Sequence, residues 1–464
     1  MKNSKLAALS LLFLTGCAVG PNYEQPQIAL PSEYGSKVSF SEEEEVKLSS
    51  WWTQFDDPKL NILIHEAIAQ NFDFKIALEK INEVRAQYQI KAADLTPKVD
   101  LSAQEQRNRI SQNLFDAPFL GPSMQNFYKI GFDASWEIDI FGKRRREKES
   151  AFYEYESERE NARDIYITLL SEVASNYIEI RSFQHQIELT KRQIYVQREL
   201  LDLTDSLLEA GLSNEIDLEA IRATLEISRA SLPPLQSNLK QTINSLAVLL
   251  GKAPEQFEKE FEEAMPIPLS TQEIPLGLPS DLLRRRPDIR RAERQLAAAT
   301  ANIGSAVADL FPRFSLLGDY GFASNRSKKW LKAQSRSWSF GPSVEWPILY
   351  FGRIRENIKA QNAAEQQALL SYEQTILTAL GDVENSLVGY YKEEERLSRL
   401  EKEVEAKHRI YELKKDLYLS GLTDFQSFLQ ADQELLEAQT NLTSSTQILS
   451  TNLVSLYKAL GGEW

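Results

Sequence analysis

The chain has 464 residues, with 53 Lys plus Arg against 67 Asp plus Glu, giving a net charge of −14. That acidic balance argues against nucleic acid as a partner. A single Cys excludes an internal disulfide and a Cys-based zinc site, three Met do not make a Met-rich copper relay, and the three His (His65, His185, His408) lie far apart in sequence. What composition permits is a carboxylate enzyme or a membrane protein whose spans are strands. In chain order, Lys2 and Lys5 give a positive start and Leu6 to Leu14 form a short apolar run. The run is far below the ~20 residues of a spanning helix and reads as a signal peptide over residues 1–16.

That run closes on Leu14-Thr15-Gly16-Cys17, which resembles the lipobox of bacterial lipoproteins. The resemblance implies a diacylglycerol thioether on Cys17, and Ala18 in the next position, where an Asp is absent, implies sorting to the outer membrane. One lipid anchors only modestly, so a second attachment to the membrane is expected. Residues 17–59 then read as a lipidated segment running toward a helical domain.

The remainder repeats itself with a shift of 210 to 215 residues. Asp94-Leu95-Thr96-Pro97 matches Asp309-Leu310-Phe311-Pro312, and Trp136 to Lys143 (WEIDIFGK) matches Trp346 to Arg353 (WPILYFGR). Ala210-Gly211-Leu212-Ser213 matches Ser420-Gly421-Leu422-Thr423, and Leu250-Gly251 matches Leu460-Gly461. Four matches in one order and at nearly one spacing define a duplicated, domain-sized unit, too long for a solenoid repeat. The halves are residues 60–275 and 276–464.

In each half two strands precede a long helix. Strands are expected at about 97–108 and 127–140, and at about 312–323 and 338–350. From Tyr128 to Ile140 apolar residues alternate with Lys129, Gly131, Asp133, Ser135, Glu137 and Asp139, long enough for a tilted membrane strand of ~9–11 residues. Trp338 to Tyr350 alternates likewise but carries Pro342 and Pro347, which cost ladder hydrogen bonds. The run from Val99 to Gln106 is weaker because Glu105 interrupts its apolar row. Trp136, Trp338 and Trp346 suit interfacial aromatic girdles.

Long helices are expected over 143–210 and 353–420, stretches without Pro, the first also without Gly. Each would run about 100 Å. Ile165, Leu169, Val173, Asn176, Ile180, Phe183 and Ile187 follow the three-and-four spacing of a coiled-coil seam. Both helices stop at a Gly suited to a left-handed cap, Gly211 or Gly421. The return helices are expected over 214–250 and 424–461, with Thr423 to Gln426 fitting a capping box and Pro233-Pro234 breaking or offsetting the first.

The strand count demands an oligomer. Strands facing lipid must close into a barrel because no edge can go unpaired in hydrocarbon. One chain supplies four, and the smallest bacterial barrels have eight. More than one copy must therefore share a barrel.

VGPNYEQP (Val19 to Pro26), the paired FGK and FGR, LRRRPDIRRAERQL (Leu283 to Leu296), LPPL (Leu232 to Leu235) and SLAVLLG (Ser245 to Gly251) together resemble the TolC-like outer-membrane efflux proteins, in the lipoprotein branch serving resistance-nodulation-division (RND) pumps. The resemblance implies a mainly α fold with a small β part: a homotrimer with a twelve-stranded transmembrane β-barrel continuing into a long α-helical coiled-coil barrel of twelve rods in the periplasm. It implies passive conduction as the exit duct of a tripartite efflux system, with a periplasmic adaptor, an inner-membrane RND-type pump and outer-membrane lipid as partners. No cofactor beyond the lipid on Cys17 is expected, and no enzyme activity, since no catalytic or phosphate-binding constellation stands out.

By the same resemblance, the tips Gly211-Leu212-Ser213 and Gly421-Leu422-Thr423 dock the adaptor. Asp217 and Tyr418 occupy the positions of a phenol–carboxylate bond narrowing the periplasmic mouth, about 1.5–3 kcal/mol if shielded. Asp217 would also answer the dipole of its own helix. Thr423, Ser427 and Gln430 replace a family Arg and two inward acids, so an acidic ring at that level is not expected. The loop from Ser324 to Ser337 carries Arg326, Lys328, Lys329, Lys332 and Arg336 and no acid, suiting either lipopolysaccharide phosphates or a solvated surface. The rival reading is a lipid-anchored coiled-coil scaffold or adhesin without a pore, which would need no apolar face on its strands.

Overall fold

The computed structural model describes residues 18–28, 50–109, 124–270 and 282–462. Cys17, the signal peptide, and the part of the first strand–strand loop over 110–123 lie outside them. Seven helices and four strands carry the fold: α1 (Pro58–Gln70), α2 (Phe72–Ala93), β1 (Lys98–Arg109), β2 (Met124–Ile138), α3 (Lys143–Glu209), α4 (Glu215–Leu249), α5 (Pro287–Ala308), β3 (Arg313–Ser324), β4 (Arg336–Glu345), α6 (Arg353–Leu419) and α7 (Phe425–Ala459). The duplication shows in the lengths. α2 and α5 have 22 residues each, α3 and α6 have 67, α4 and α7 have 35, and β1 and β3 have 12. Among the described residues no helix is long and apolar enough to cross a membrane.

The chain forms two compact units. The first takes the segments through Gln27, Lys80–Arg159 and Arg291–Glu373; the second takes Ile28–Glu79, Glu160–Arg290 and Gln374 onward.

The first unit holds an antiparallel sheet in the order β1-β2-β3-β4. Opposed residues share a face. One cross-strand row is Leu101, Phe132, Tyr320 and Trp338, and each is half or more exposed. The other face is polar: Asp100 stands opposite Asp133, Asp133 opposite Asp319, and Asp319 opposite Ser339. Ser102 donates to Asp133 at 2.6 Å, and Ser339 donates to Asp319. β4 ends at Glu345, short of the expected residue 350, because its partner β3 begins at Arg313, opposite Glu345, and offers no ladder beyond it. The duplicated tryptophans bind alike. The Trp136 indole donates to the Leu95 carbonyl at 3.0 Å, and that of Trp346 to the Leu310 carbonyl at 3.1 Å.

An N-terminal strap crosses the strand-to-helix junction in this unit. Val19 donates its N–H to the Phe141 carbonyl at 3.1 Å, and Arg146 donates to Asn22 at 2.7 Å and to the Val19 carbonyl at 3.3 Å. Gly20 lies so close to Gly304 that a Cβ on it would stand 2.5 Å from the Gly304 Cα. Tyr23 donates to Glu293 at 3.0 Å. Phe141 stacks on Phe311, their centroids 4.5 Å apart. Its counterpart in the other half, Phe351, has no strap among the described residues and is 98% exposed, with Ile348 at 75% and Leu349 at 79%.

In the second unit each 35-residue helix abuts the start of a 22-residue helix. The Asn71 amide donates to the Leu249 carbonyl at 2.9 Å where α4 ends, and the Arg286 guanidinium donates to the Ala459 carbonyl at 3.1 Å where α7 ends. Helix ends leave carbonyls without intrahelical partners, and these donors answer them. Arg286, from the LRRRPDI segment, is buried and paired with Asp288 at 2.7 Å and Asp382 at 3.1 Å.

The middle of α3 is buried almost all round rather than along one seam. Leu169, Val173, Ile180 and Ile187 are buried as the spacing predicts, but so are Leu170, Ala174, Tyr177, Ile178, Arg181 and Ser182. Chain segments outside the repeat pattern cause this. Tyr177 donates to Asp57 at 2.7 Å, Arg181 donates to the Glu263 carbonyl at 3.0 Å, and Gln184 donates to the Phe261 carbonyl at 2.6 Å. A further correction concerns α4, which is one continuous helix through Pro233 and Pro234. Both prolines are exposed, so solvent can reach the carbonyls deprived of partners.

Candidate functional site at the hairpin tips

Both long helices end in the same hydrogen-bonded turn. Gly211 donates to the Leu208 carbonyl at 2.9 Å and Leu212 to that of Leu207 at 2.8 Å; Gly421 and Leu422 repeat this with Tyr418 and Leu417 at 2.9 and 2.8 Å. Both glycines have φ of +71°, the left-handed conformation of a Schellman cap. An added Cβ would meet nothing within 4 Å at either, so these glycines serve backbone conformation, not space. The turns present Leu212 and Leu422 to solvent, 76% and 74% exposed. Ser213 and Thr423 are half-buried beside them.

The return helices are capped by Asn214 and Asp424, the second of these one residue later than the capping box expected from Thr423. Asn214 accepts the Asp217 N–H at 2.9 Å, and Asp424 accepts the Ser427 N–H at 2.7 Å and its hydroxyl at 2.9 Å. The reason is chemical: Asn and Asp oxygens reach the third N–H of a helix as well as Ser or Thr does, and here they occupy the extended residue just before it.

The expected Asp217–Tyr418 bond does not form within the chain. The Asp217 carboxylate accepts from the Asn214 amide at 2.9 Å and from the Ser213 hydroxyl at 3.4 Å. Tyr418 stacks on Phe428 at 5.5 Å and tilts against Phe425 at 5.4 Å. Burial raises its phenol pKa, a bond with Thr204 opposes this, and the charge of Asp217 adds to the rise. The two residues thus make no hydrogen bond to each other within the chain. Phe425, Phe428, Leu429 and Ile221 form a buried cluster that Leu200, Leu201, Tyr411 and Tyr418 cover, so all four helices of the two hairpins meet there.

Sequence reasoning missed one polar group. Asp432 is buried on α7, bonded by Gln193 and Gln197 of α3. Burial pushes its carboxyl up to about 6, and the glutamine bonds offset part of that rise. Its signal was an acid at a core-facing position, eleven residues beyond Gly421. Slightly farther from the tip, Lys407 pairs with Glu434 at 2.5 Å.

A duplicated chain of paired strands and very long helical hairpins, apolar on one sheet face and tipped by exposed leucines, defines the class of outer-membrane ducts. The sequence model of the outer membrane efflux protein family matches residues 63–252 and 278–462, and the chain belongs to that family. It is 32% identical over its whole length to 99% of the solvent efflux pump outer membrane protein SrpC of Pseudomonas putida. It is 29% identical, over 98% of its length and 97% of the relative, to the cation efflux system protein CusC of Escherichia coli. Among solved structures, the outer-membrane channel OprN superimposes with a TM-score of 0.87 at 33% identity, covering 97% of this chain and 100% of that one. The open state of the Neisseria gonorrhoeae MtrE outer membrane channel gives 0.84 at 27% identity, covering 96% and 98%. The fold class expected from the sequence is therefore the one found: mainly α with a small β part, a duplicated unit, the architecture of the trimeric channels. The protein is an outer-membrane efflux channel extending into the periplasm and working as a component of an efflux pump.

Proposed function

We propose that three copies close a twelve-stranded barrel and form the exit duct of a tripartite efflux system, conducting passively from a periplasmic adaptor and an inner-membrane RND-type pump to the exterior. The observation that carries this is the sheet. It has one apolar, exposed face, one polar face, and two edges, β1 and β4, that find no strand partner among the described residues. In hydrocarbon such edges must be paired by further copies. The exposed run from Trp346 to Phe351 beside β4 supplies apolar surface for the same contact. Cys17 carries the lipid in this reading, and the strap from Ala18 to Tyr23 ties it to the barrel. Leu212 and Leu422 are the contacts offered to the adaptor, with Gly211, Ser213, Gly421 and Thr423 shaping the turns. Asp217 and Tyr418 set the resting aperture, Tyr418 by ring packing and Asp217 by holding the tip of its helix.

Single-channel recording in planar bilayers tests this. The purified protein is expected to conduct, and Asp217→Ala or Tyr418→Ala to raise resting conductance. An oligomer that stays silent even with both residues replaced would sink the duct. Unchanged conductance in conducting variants would leave the pair only capping and packing roles.

A further inference from the structure

The sheet register places arginines where an apolar membrane face ends. On β2 the apolar row runs from Ile138 to Tyr128, ten residue-to-residue steps and roughly 34 Å of strand, about 26 Å of height at a barrel tilt near 40°, close to the ~25 Å apolar band of such barrels. On the same face of β1, Glu105 lies opposite Tyr128 and Arg107 and Arg109 continue beyond it. On β4 the row Val344, Pro342, Phe340, Trp338 is followed by Arg336, opposite Phe322. Trp330 of the β3–β4 loop packs on Tyr128 at 5.9 Å, which fixes that loop at the top of the band. The loop adds Lys328, Lys329 and Lys332. Among the described residues none of these cations makes an ion pair; Arg107 reaches only the Met124 sulfur, at 3.5 Å. Glu105 is the one acid on this face of β1.

β1 and β4 are the two edges, so in the closed barrel proposed above β4 of one copy runs antiparallel to β1 of the next. Arg336 and its loop then face Arg107 and Arg109 across the seam at the end away from the helices. We propose that this seam binds the phosphates of the phosphorylated glycolipid of the outer leaflet, with the two edges supplying guanidinium forks and the adjacent aromatic row lying against the acyl chains. The site is incomplete in a single copy, and it rests on the barrel reading.

The test uses the full-length lipoprotein in detergent, with retained lipid counted by native mass spectrometry. The protein is expected to hold bis-phosphorylated lipid A at least tenfold more tightly than fully dephosphorylated lipid A or phosphatidylglycerol. The Arg107→Gln, Arg109→Gln, Arg336→Gln variant should lose that preference and still conduct. If that variant fails to assemble, Lys328→Gln, Lys329→Gln, Lys332→Gln should weaken binding at least threefold. Equal retention of all three lipids, or displacement of lipid A by an equimolar concentration of inorganic pyrophosphate, would overturn the proposal. A conducting wild type without lipid preference sinks this inference alone, whereas a silent one sinks the duct.

Discussion

Gly211 and Gly421 owe their identity to one dihedral angle. Placing Ala at φ +71° costs roughly 1–2 kcal/mol, so either Gly→Ala change should lower the thermal midpoint while conductance persists. Leu212→Ser and Leu422→Ser should do the opposite. Both side chains are exposed, so stability should stay within about 0.5 kcal/mol, while cross-linking to the adaptor in cells and efflux fall. Preserved cross-linking would remove the docking role. Asp432 makes a pH-dependent prediction. Its native pKa of about 6 lies above the ~3.9 of an unfolded Asp, so between those values the native chain keeps a proton that the unfolded chain has lost. Stability therefore falls as pH rises from about 4 to 6 and is level above. Asp432→Asn should gain about 1–3 kcal/mol at pH 8 and nothing near pH 4; a pH-independent difference between the two proteins would contradict this.

At the scale of the element, duplication makes the two halves each other's control. Trp136→Phe and Trp346→Phe should each cost about 1 kcal/mol, the loss of one indole hydrogen bond, and should add in the double variant because the two indoles bind different carbonyls, those of Leu95 and Leu310. A second expectation concerns the polar face of the sheet. Asp100, Asp133 and Asp319 lie in one cross-strand row, although like charges opposed on neighbouring strands destabilise a sheet. Replacing all three by Asn should reduce the preference for cations over anions, read as a shifted reversal potential in a KCl gradient; an unmoved potential would assign them no part in selectivity. The elements were legible because their signals are local: alternation in β2, Pro-free runs for α3 and α6, Gly where each long helix stops. What stayed hidden depends on distant chain. Nothing near residues 167–184 announces that Asp57, Phe261 and Glu263 will surround that stretch of α3, and only the exposure of Pro233 and Pro234 explains why α4 runs on. Asn214 and Asp424 are both preferred cap residues, but at the second tip Thr423, one position earlier and three before Gln426, fits the capping-box pattern.

For the whole molecule, the missing surface is as informative as the present one. Phe351 is 98% exposed in a chain that packs its twin Phe141 on Phe311. Phe351→Asp should leave helicity unchanged and lower the trimer fraction about tenfold or more, the equivalent of ~1.5–3 kcal/mol of lost side-chain burial. Mass photometry in detergent reads it, and an undiminished trimer would place Phe351 against lipid instead. The tip residues could be named from sequence, but the wiring of Asp217 and Tyr418 could not, since a pairing between helices depends on rotamers and on Thr204, far away in the chain.

The two kinds of cap have a consequence for whatever meets the far end of the duct. A ring of three copies offers six turns of one shape, but three are closed by the neutral amide of Asn214 and three by the carboxylate of Asp424. A visitor with a single kind of foot would therefore stand on alternating ground: at one turn a carboxylate closes the helix itself, and at the next it stands behind the amide, on Asp217.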